Sequence, residues 1–279
     1  MSLTIENGKV VGVASRGRKW RAPSVLIATG GLSYPATGCT GDGYDLARQA
    51  GHTVVPTYPA IVALETKEPW PGRVQGTPIK NVLIRVRVPR AQERRITETF
   101  GEALWTHYGI SGPAIFDISR EVVLALRAGQ EVVLELDLRP SDSEEALDRR
   151  LLEAIKGRGG NQVATVLSDW VALRAATLLL KLNGIEPRKK MNQCSRSDRR
   201  RIVKFLKHLE LRVAGPRPIQ EAIVTGGGVS LEEVDPQRME SRLVRGLFFA
   251  GEVLDIDGPS GGFNLQAAFS TGWLSGQSI

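Results

Sequence analysis

The chain has 279 residues, 42% of them apolar and 24% charged, with a formal net charge of +7, long enough to bury one large core or two smaller ones. No run reaches the roughly 18 apolar residues of a membrane span, and MSLTIENGKVVG has neither a charged n-region nor an apolar h-region; the expected compartment is the cytoplasm, with no membrane partner. Cys39 and Cys194 stand in unrelated surroundings with no CxxC or Cys/His cluster, which predicts two free thiols and no bound metal.

In chain order, KVVGVASRGRKWRAPSVLIATGG predicts two short strands about a turn at Arg16–Arg18, then a buried strand from Val25 to Ala28 that stops at Gly30-Gly31. TGDGYDLARQAG follows as a helix with Tyr44, Leu46, Ala47 and Ala50 as its apolar positions, and HTVVP opens another strand after Gly51. From about Tyr58 the pattern becomes β. VLIRVRV alternates Val82, Ile84, Val86 and Val88 against Leu83, Arg85 and Arg87, and VVLELDL sets Leu134, Leu136 and Leu138 against Glu135 and Asp137. If these strands pair, arginine faces carboxylate across their exposed side.

After Pro140 the pattern turns helical, opened by a capping-box match at Ser141-Asp142-Ser143-Glu144 before EALDRRLLEAI. VALRAATLLLKLNGI and SRSDRRRIVKFLKHLEL follow as further helices, the second with Ile202, Phe205, Leu206 and Leu209 on one face. AIVTGGGVSLEEVDP and GLFFAGEVLDIDG then return to buried strands with glycine turns. The expected organisation is α/β: residues 1–57 and 221–279 form one layer, interrupted by an inserted module at 58–220 that is β-rich over 58–139 and helical over 140–220.

The positive charge is local. Between Lys181 and Arg212 there are eleven Lys/Arg against three acids, a local +8 that accounts for the whole excess. A solvated helix face explains it. A non-enzymatic module that contacts nucleic acid or another polyanion through the basic helix 195–211 is the alternative, but no aromatics interleave with these cations and no nucleic-acid module is recognisable.

Three glycine sites remain. TGCTGDG (37–43) and TGGG (225–228) read as loops that fit neither GxxxxGK[ST] nor GxGxxG, and a strand ending in ATGG is equally explained by an ordinary turn. GPSGGFNLQAAFSTGWLSG (258–276) is more specific. Gly261 and Gly262 let backbone approach a ligand, Asn264 is a favoured N-cap type, and the amides of Leu265 to Ala267 would be unpaired at the positive end of a helix. Ala268, Gly272 and Gly276 recur every four residues, which predicts close packing of that helix. Such a socket suits the negative charge that gathers on a reduced flavin, by about 0.3–2 kcal/mol; a phosphate fits nearly as well.

VLIATGGLSYPATGCTGDGYDLARQAGH, THYGISGPAIFDIS, PIQEAIVTGGGVSLEEVDPQRMESRLVRGLFFAGEVLDIDG and GGFNLQAAFSTGWLSG together resemble the BaiN/RdsA (YhiN-like, aminoacetone-oxidase-like) family of FAD-dependent oxidoreductases, in order over nearly the whole chain. The resemblance implies a partial FAD-binding, glutathione-reductase-like Rossmann layer, with hydride transfer through the isoalloxazine and NAD(P)H as candidate electron donor. It also implies a departure. The strand and GxGxxG that precede this region in the family have no counterpart here, so a truncated form with impaired FAD binding is expected, with a short relative of different ligand as the alternative.

Carried over residue by residue, Thr29, Gly30 and Gly31 lie at the strand end beside the cofactor, Gly251 and Glu252 approach the ribityl or pyrophosphate region, and Gly261, Gly262, Phe263, Asn264, Leu265 and Gln266 lie at the isoalloxazine. Asp255 and Asp257 are candidates for turn stabilisation. His107 is the histidine implied to face the active site, with a structural role as its competing reading, and Cys39 lacks a neighbouring base or partner thiol. No catalytic side chain is assigned. The inserted module is expected to cover the flavin and shape a pocket for a small-molecule substrate; the family's conjugated enones and amines leave that substrate open. Edges left unpaired by the missing segment predict self-association.

Overall fold

Two Xaa-Gly turns begin the fold. Asn7-Gly8 and Arg16-Gly17 all take positive φ, the geometry of two-residue hairpin turns, and they connect β1 (Ser2–Glu6), β2 (Lys9–Ser15) and β3 (Arg18–Arg21) into an antiparallel three-stranded sheet. The computed structural model describes residues 1–89 and 94–279 and divides the chain into two units, residues 1–62 with 217–279 and residues 63–216.

The first arm of unit 1 continues with β4 (Val25–Ile27), α1 (Asp42–Gln49) and β5 (Val54–Ile61). In α1 the predicted positions Tyr44, Leu46 and Ala47 are buried.

Unit 2 is built on a closed barrel. Its strands are β6 (Leu64–Thr66), β7 (Pro78–Val88), β8 (Arg94–Trp105), β9 (Gly109–Ser111), then α2 (Pro113–Arg127) and β10 (Val133–Asp137). The helices α3 (Glu144–Gly157), α4 (Val163–Leu167), α5 (Leu173–Leu182) and α6 (Arg196–Lys207) follow, and β11 (Leu209–Pro216) returns to close the order β10-β11-β6-β9-β8-β7. The predicted pairing of the two alternating strands is present: Glu135 stands opposite Arg85, with 3.2 Å between Arg85 Nη1 and Glu135 Oε1 and 3.0 Å from Arg87 Nη2 to Glu135 Oε2. Val82, Ile84, Val86, Leu134 and Leu136 point the other way, into one apolar cluster that also takes Ile115, Ile118 and Val122 of α2 and Leu147, Leu179 and Leu206 of the later helices.

Two readings of unit 2 are corrected. Within the stretch read as β-rich stands an unanticipated 15-residue helix, α2; Gly112 at φ 102° and Pro113 at the first helical position start it. The basic helix ends at Lys207 rather than Leu211, because from Leu209 the period changes to two: Leu209, Leu211 and Val213 are buried and Glu210 and Arg212 exposed along β11.

The return arm of unit 1 supplies β12 (Val224–Val229), β13 (Leu247–Phe249) and α7 (Phe263–Ser278). β12 pairs antiparallel with β5, and β13 pairs parallel with β4 in the register Val25↔Leu247, Ile27↔Phe249. TGGG is therefore buried strand and not a loop. Its glycines serve close approach: a Cβ on Gly226 would stand 2.4 Å from the Tyr58 ring. The core of the unit gathers Leu3, Val10, Ile27, Leu46, Val229, Leu247, Phe249 and Leu254.

His52 lies buried against this core, its ring edge-on to Phe249 at 4.8 Å, with Nε2 2.7 Å from Ser241 Oγ and Nδ1 3.2 Å from Glu233 Oε2. Burial pushes its pKa below the ordinary 6.5, and the Glu233 carboxylate only partly offsets this. The folded state thus holds fewer protons on this group than the unfolded chain, so its contribution is full above pH 6.5 and is lost as pH falls below that value. Thermal unfolding scanned between pH 7.5 and 5 is expected to show a fall in Tm that flattens in His52→Gln; parallel curves for the two proteins would remove His52 from the account.

Candidate functional site

The two parallel strands of unit 1 end side by side. β4 runs into Ala28-Thr29-Gly30-Gly31 and β13 into Ala250-Gly251-Glu252, with Ala250 N–H donating to Ile27 O at 3.1 Å. In open parallel sheets the space beyond the carboxyl ends of adjacent strands is where ligands bind. Here that corner is locked from within. Thr225, on β12 and fully buried, accepts at Oγ1 from Leu32 N (2.8 Å) and Ser33 N (3.1 Å), shares a 2.9 Å hydrogen bond with Ser33 Oγ, and donates its own N–H to Glu252 Oε1 at 2.8 Å.

Gly31 sits against this knot. A Cβ there would lie 2.4 Å from Thr225 Oγ1 and 2.6 Å from Glu252 Oε1, so only glycine fits. The structure thus brings Gly31 and Glu252 together through Thr225, a residue the sequence reading passed over inside TGGG. Thr29 is exposed at the strand end, with Oγ1 where a Cβ on Gly43 would be 2.1 Å away; Cys39 Sγ lies beside Gly30 and accepts from Thr37 Oγ1 at 3.6 Å. Both cysteines are free, and burial raises the pKa of Cys194.

The turn at Gly251 ties the corner to the last helix. Gly251, at φ 77°, donates its N–H to Thr271 Oγ1 at 3.0 Å, and a Cβ on it would meet that of Ala268 at 3.8 Å. Ser275 Oγ donates to Phe249 O at 3.5 Å, so the row Ala268, Thr271 and Ser275 faces the strand end. The expected small-residue row is corrected in part: Gly272 and Gly276 have open space where a Cβ would be.

The helix entrance also differs from expectation. Gly262 is the N-cap, at φ 95°, and Gly261 precedes it at φ 106°, a pair of left-handed conformations that favour glycine. Gln266 N–H donates to Gly262 O at 2.9 Å, so the amides ahead of the first intrahelical bond are those of Phe263, Asn264 and Leu265 rather than Leu265 to Ala267, and the N-cap glycine has no side chain to cap them. Asn264 is inside the helix. Its Oδ1 accepts from Gly258 N at 2.8 Å and its Nδ2 donates to Gly258 O at 2.9 Å, holding the approach loop. Gln266 Nε2 donates to Ser270 Oγ at 3.0 Å. Phe263, Leu265, Phe269 and Trp273 are exposed, Phe269 at 70%.

Tyr44 OH donates to the Glu252 carbonyl at 3.5 Å, and burial, reinforced by the Glu252 charge, raises its pKa, so the phenol stays protonated. Tyr58 OH donates to Asp257 Oδ1 at 3.4 Å, which gives Asp257 a role in holding the 255–258 corner. His107 belongs to unit 2, on the loop between β8 and β9, edge-on to Tyr108 at 4.8 Å.

Half the cations of α6 are engaged structurally. Ser195 caps the helix in a capping box with Asp198, whose carboxylate also takes Lys189 Nζ at 2.7 Å and Arg201 Nη2 at 2.6 Å. Burial would raise the Asp198 pKa, but the hydrogen bonds from Lys189 and Ser195 overcome it and hold the carboxyl well below its usual range. Arg199 pairs with Asp148 at 2.8 Å and Lys207 with Asp137 at 2.7 Å. Arg196, Arg200 and Lys204 are exposed and show no ion pair among the described residues. A polyanion reading of the basic helix 195–211 would therefore rest on these three positions. No helix among the described residues is long and apolar enough to cross a membrane.

A sequence model of the HI0933-like protein Rossmann domain matches residues 1–278. The chain is 30% identical over 266 residues to the 3-dehydro-bile acid delta(4,6)-reductase of Clostridium scindens, covering 95% of this chain and 64% of the relative. It is 30% identical over 262 residues to the ribosomal RNA dihydrouridine synthase of Haemophilus influenzae (94% and 61%) and 32% identical over 256 residues to that of Escherichia coli (91% and 60%). The chain spans less than two thirds of the length of these curated relatives.

Proposed function

The chain belongs to the HI0933-like Rossmann family, the BaiN/RdsA group, which includes a reductase, and from that premise we propose that it is a flavin-holding part of an FAD-dependent oxidoreductase that saturates a conjugated carbon–carbon double bond. The names of the relatives support the reaction class, since a delta(4,6)-reductase and a dihydrouridine synthase both add hydrogen across such a bond. The observation that carries the cofactor half is the corner itself: two parallel strand ends interlocked by Gly31, Thr225 and Glu252, joined at Gly251 to a helix whose N-cap is a glycine with no capping side chain.

In this reading Thr29, Gly30 and Gly31 flank the cofactor at the end of β4. Glu252 has one carboxylate oxygen committed to Thr225 N–H, and the other would accept from a ribityl hydroxyl. The stretch from Gly261 to Gln266 would hold the isoalloxazine, where the amides of Phe263, Asn264 and Leu265 would stabilise negative charge by about 0.3–2 kcal/mol. Gly262 leaves the space for that approach, because no atom lies within 4 Å of where its Cβ would be. The bound flavin supplies two-electron hydride chemistry, with NAD(P)H as donor. Tyr44 stays neutral beside Glu252 and adds no charge to the corner. The exposed face of α7 supports self-association as a companion proposal.

Flavin uptake tests this. The chain alone is expected to be colourless and to quench FAD fluorescence weakly. Fusion to the GxGxxG-bearing segment of a family member is expected to give a yellow protein that Gly262→Val bleaches. A fusion that folds and takes up no FAD removes the cofactor assignment.

A further inference from the structure

We propose that the outer edge of the N-terminal sheet, strand β3 with the turn that leads into it, is a docking edge for single-stranded RNA. The segment RGRKWR places Arg16, Arg18, Lys19 and Arg21 around Trp20 within six residues. Every residue of β3 is exposed, and Trp20 keeps half of its surface in solvent although an indole ordinarily buries most of its area. Among the described residues β3 pairs with β2 only, in the order β1-β2-β3, so its outer edge is unpartnered.

The charge there is uncompensated. No ion pair among the described residues engages Arg16, Arg18, Lys19 or Arg21, whereas Arg85, Arg87, Arg139, Arg199 and Arg201 all have carboxylate partners. Opposite β2, Arg18 pairs with Ser15, Lys19 with Ala14, Trp20 with Val13 and Arg21 with Gly12, so alternation puts Arg18 with Trp20 on one face of the strand and Lys19 with Arg21 on the other. Arg18 shares the indole's face, and Lys19 and Arg21 carry positive charge on the other side of the same strand.

A ring for stacking flanked by cations for phosphates is the recognition chemistry of single-stranded nucleic acid, each base needing one aromatic face. A lipid surface would also attract the cations. It needs more apolar area than one ring offers, and the other apolar side chains of this sheet, Leu3, Ile5, Val10, Val11 and Val13, are buried or half-buried. RNA is the partner argued because two relatives of about 30% identity carry ribosomal RNA in their names. This edge is separate from the strand-end corner, and the inference stands whether or not flavin binds there.

The test is fluorescence anisotropy of a fluorescein-labelled oligouridylate with the whole chain. Binding is expected to fall with salt with a log–log slope of about −3, at about 0.7 for each of four phosphate contacts. Trp20→Ala is expected to weaken binding about tenfold with that slope unchanged, and Trp20→Phe to recover most of the loss. Arg18→Glu with Arg21→Glu is expected to weaken binding more than tenfold and flatten the slope. Reversing Arg196, Arg200 and Lys204 on α6 is expected to leave it unchanged. The proposal is overturned if the β3 variants bind as the parent does, if the α6 variant alone loses binding, or if vesicles containing phosphatidylserine outcompete the oligouridylate. Should Trp20→Ala unfold, Trp20→Phe decides the question by whether oligouridylate-induced quenching of indole emission disappears, as expected, or persists, which refutes it.

Discussion

Replacing Gly31 with alanine is expected to lower the stability of unit 1 by about 3 kcal/mol and to abolish flavin uptake in any form of the protein that binds it. The new methyl would need the space held by Thr225 Oγ1 at 2.4 Å, Thr225 Cβ at 2.6 Å and Glu252 Oε1 at 2.6 Å. Glu252 can swing aside only by releasing Thr225 N–H, and Thr225 cannot move without breaking its bonds to Leu32 and Ser33. Urea unfolding measures the loss. Gly272→Ala is the matched control: its Cβ meets nothing within 4 Å, and in mid-helix it is expected to stabilise by up to about 1 kcal/mol. Equal midpoints for parent and Gly31→Ala would mean that the knot carries no strain-bearing role.

Asp198→Ala is expected to destabilise unit 2 by about 2–3 kcal/mol, because it removes a buried carboxylate shared by the partly exposed Lys189 and Arg201 and breaks the capping box of α6. Since the folded carboxyl lies below its unfolded value of 3.8, its contribution is complete above that pH and is lost as acid takes the solution below it. Parent and variant unfolding curves should therefore converge below about pH 4. Curves that stay apart by a constant amount down to pH 2 would show that the loss is packing rather than charge. This window lies below the one assigned to His52, so the two effects separate in one titration.

Patterns with a single period were legible from residues alone. The β7–β10 pairing follows from strict alternation, and its arginine–carboxylate face followed without further information. The helix α2 was hidden because PAIFDISREVVLALR is rich in β-branched residues, although Ile115, Ile118, Val122 and Ala125 recur at helical spacing after a Gly-Pro start. Leu209 fits the last turn of one helix and the first position of a strand, and only the following alternation decides between them. At the site, Gly31 and Glu252 came from motif resemblance, but Thr225 did not: three successive glycines look like a turn until Tyr58 is known to pack on one of them. Asn264 has the chemistry of a cap, and nothing local says that its amide is taken by Gly258.

The outward side of α7 leaves a debt in solution. Phe263, Leu265, Phe269 and Trp273 each keep more than 60% of their area wet, which withholds on the order of 5 kcal/mol of hydrophobic stabilisation. That sum rivals the net stability of a whole domain. In the self-association proposed for this chain, that strip of helix is the surface expected to be covered first.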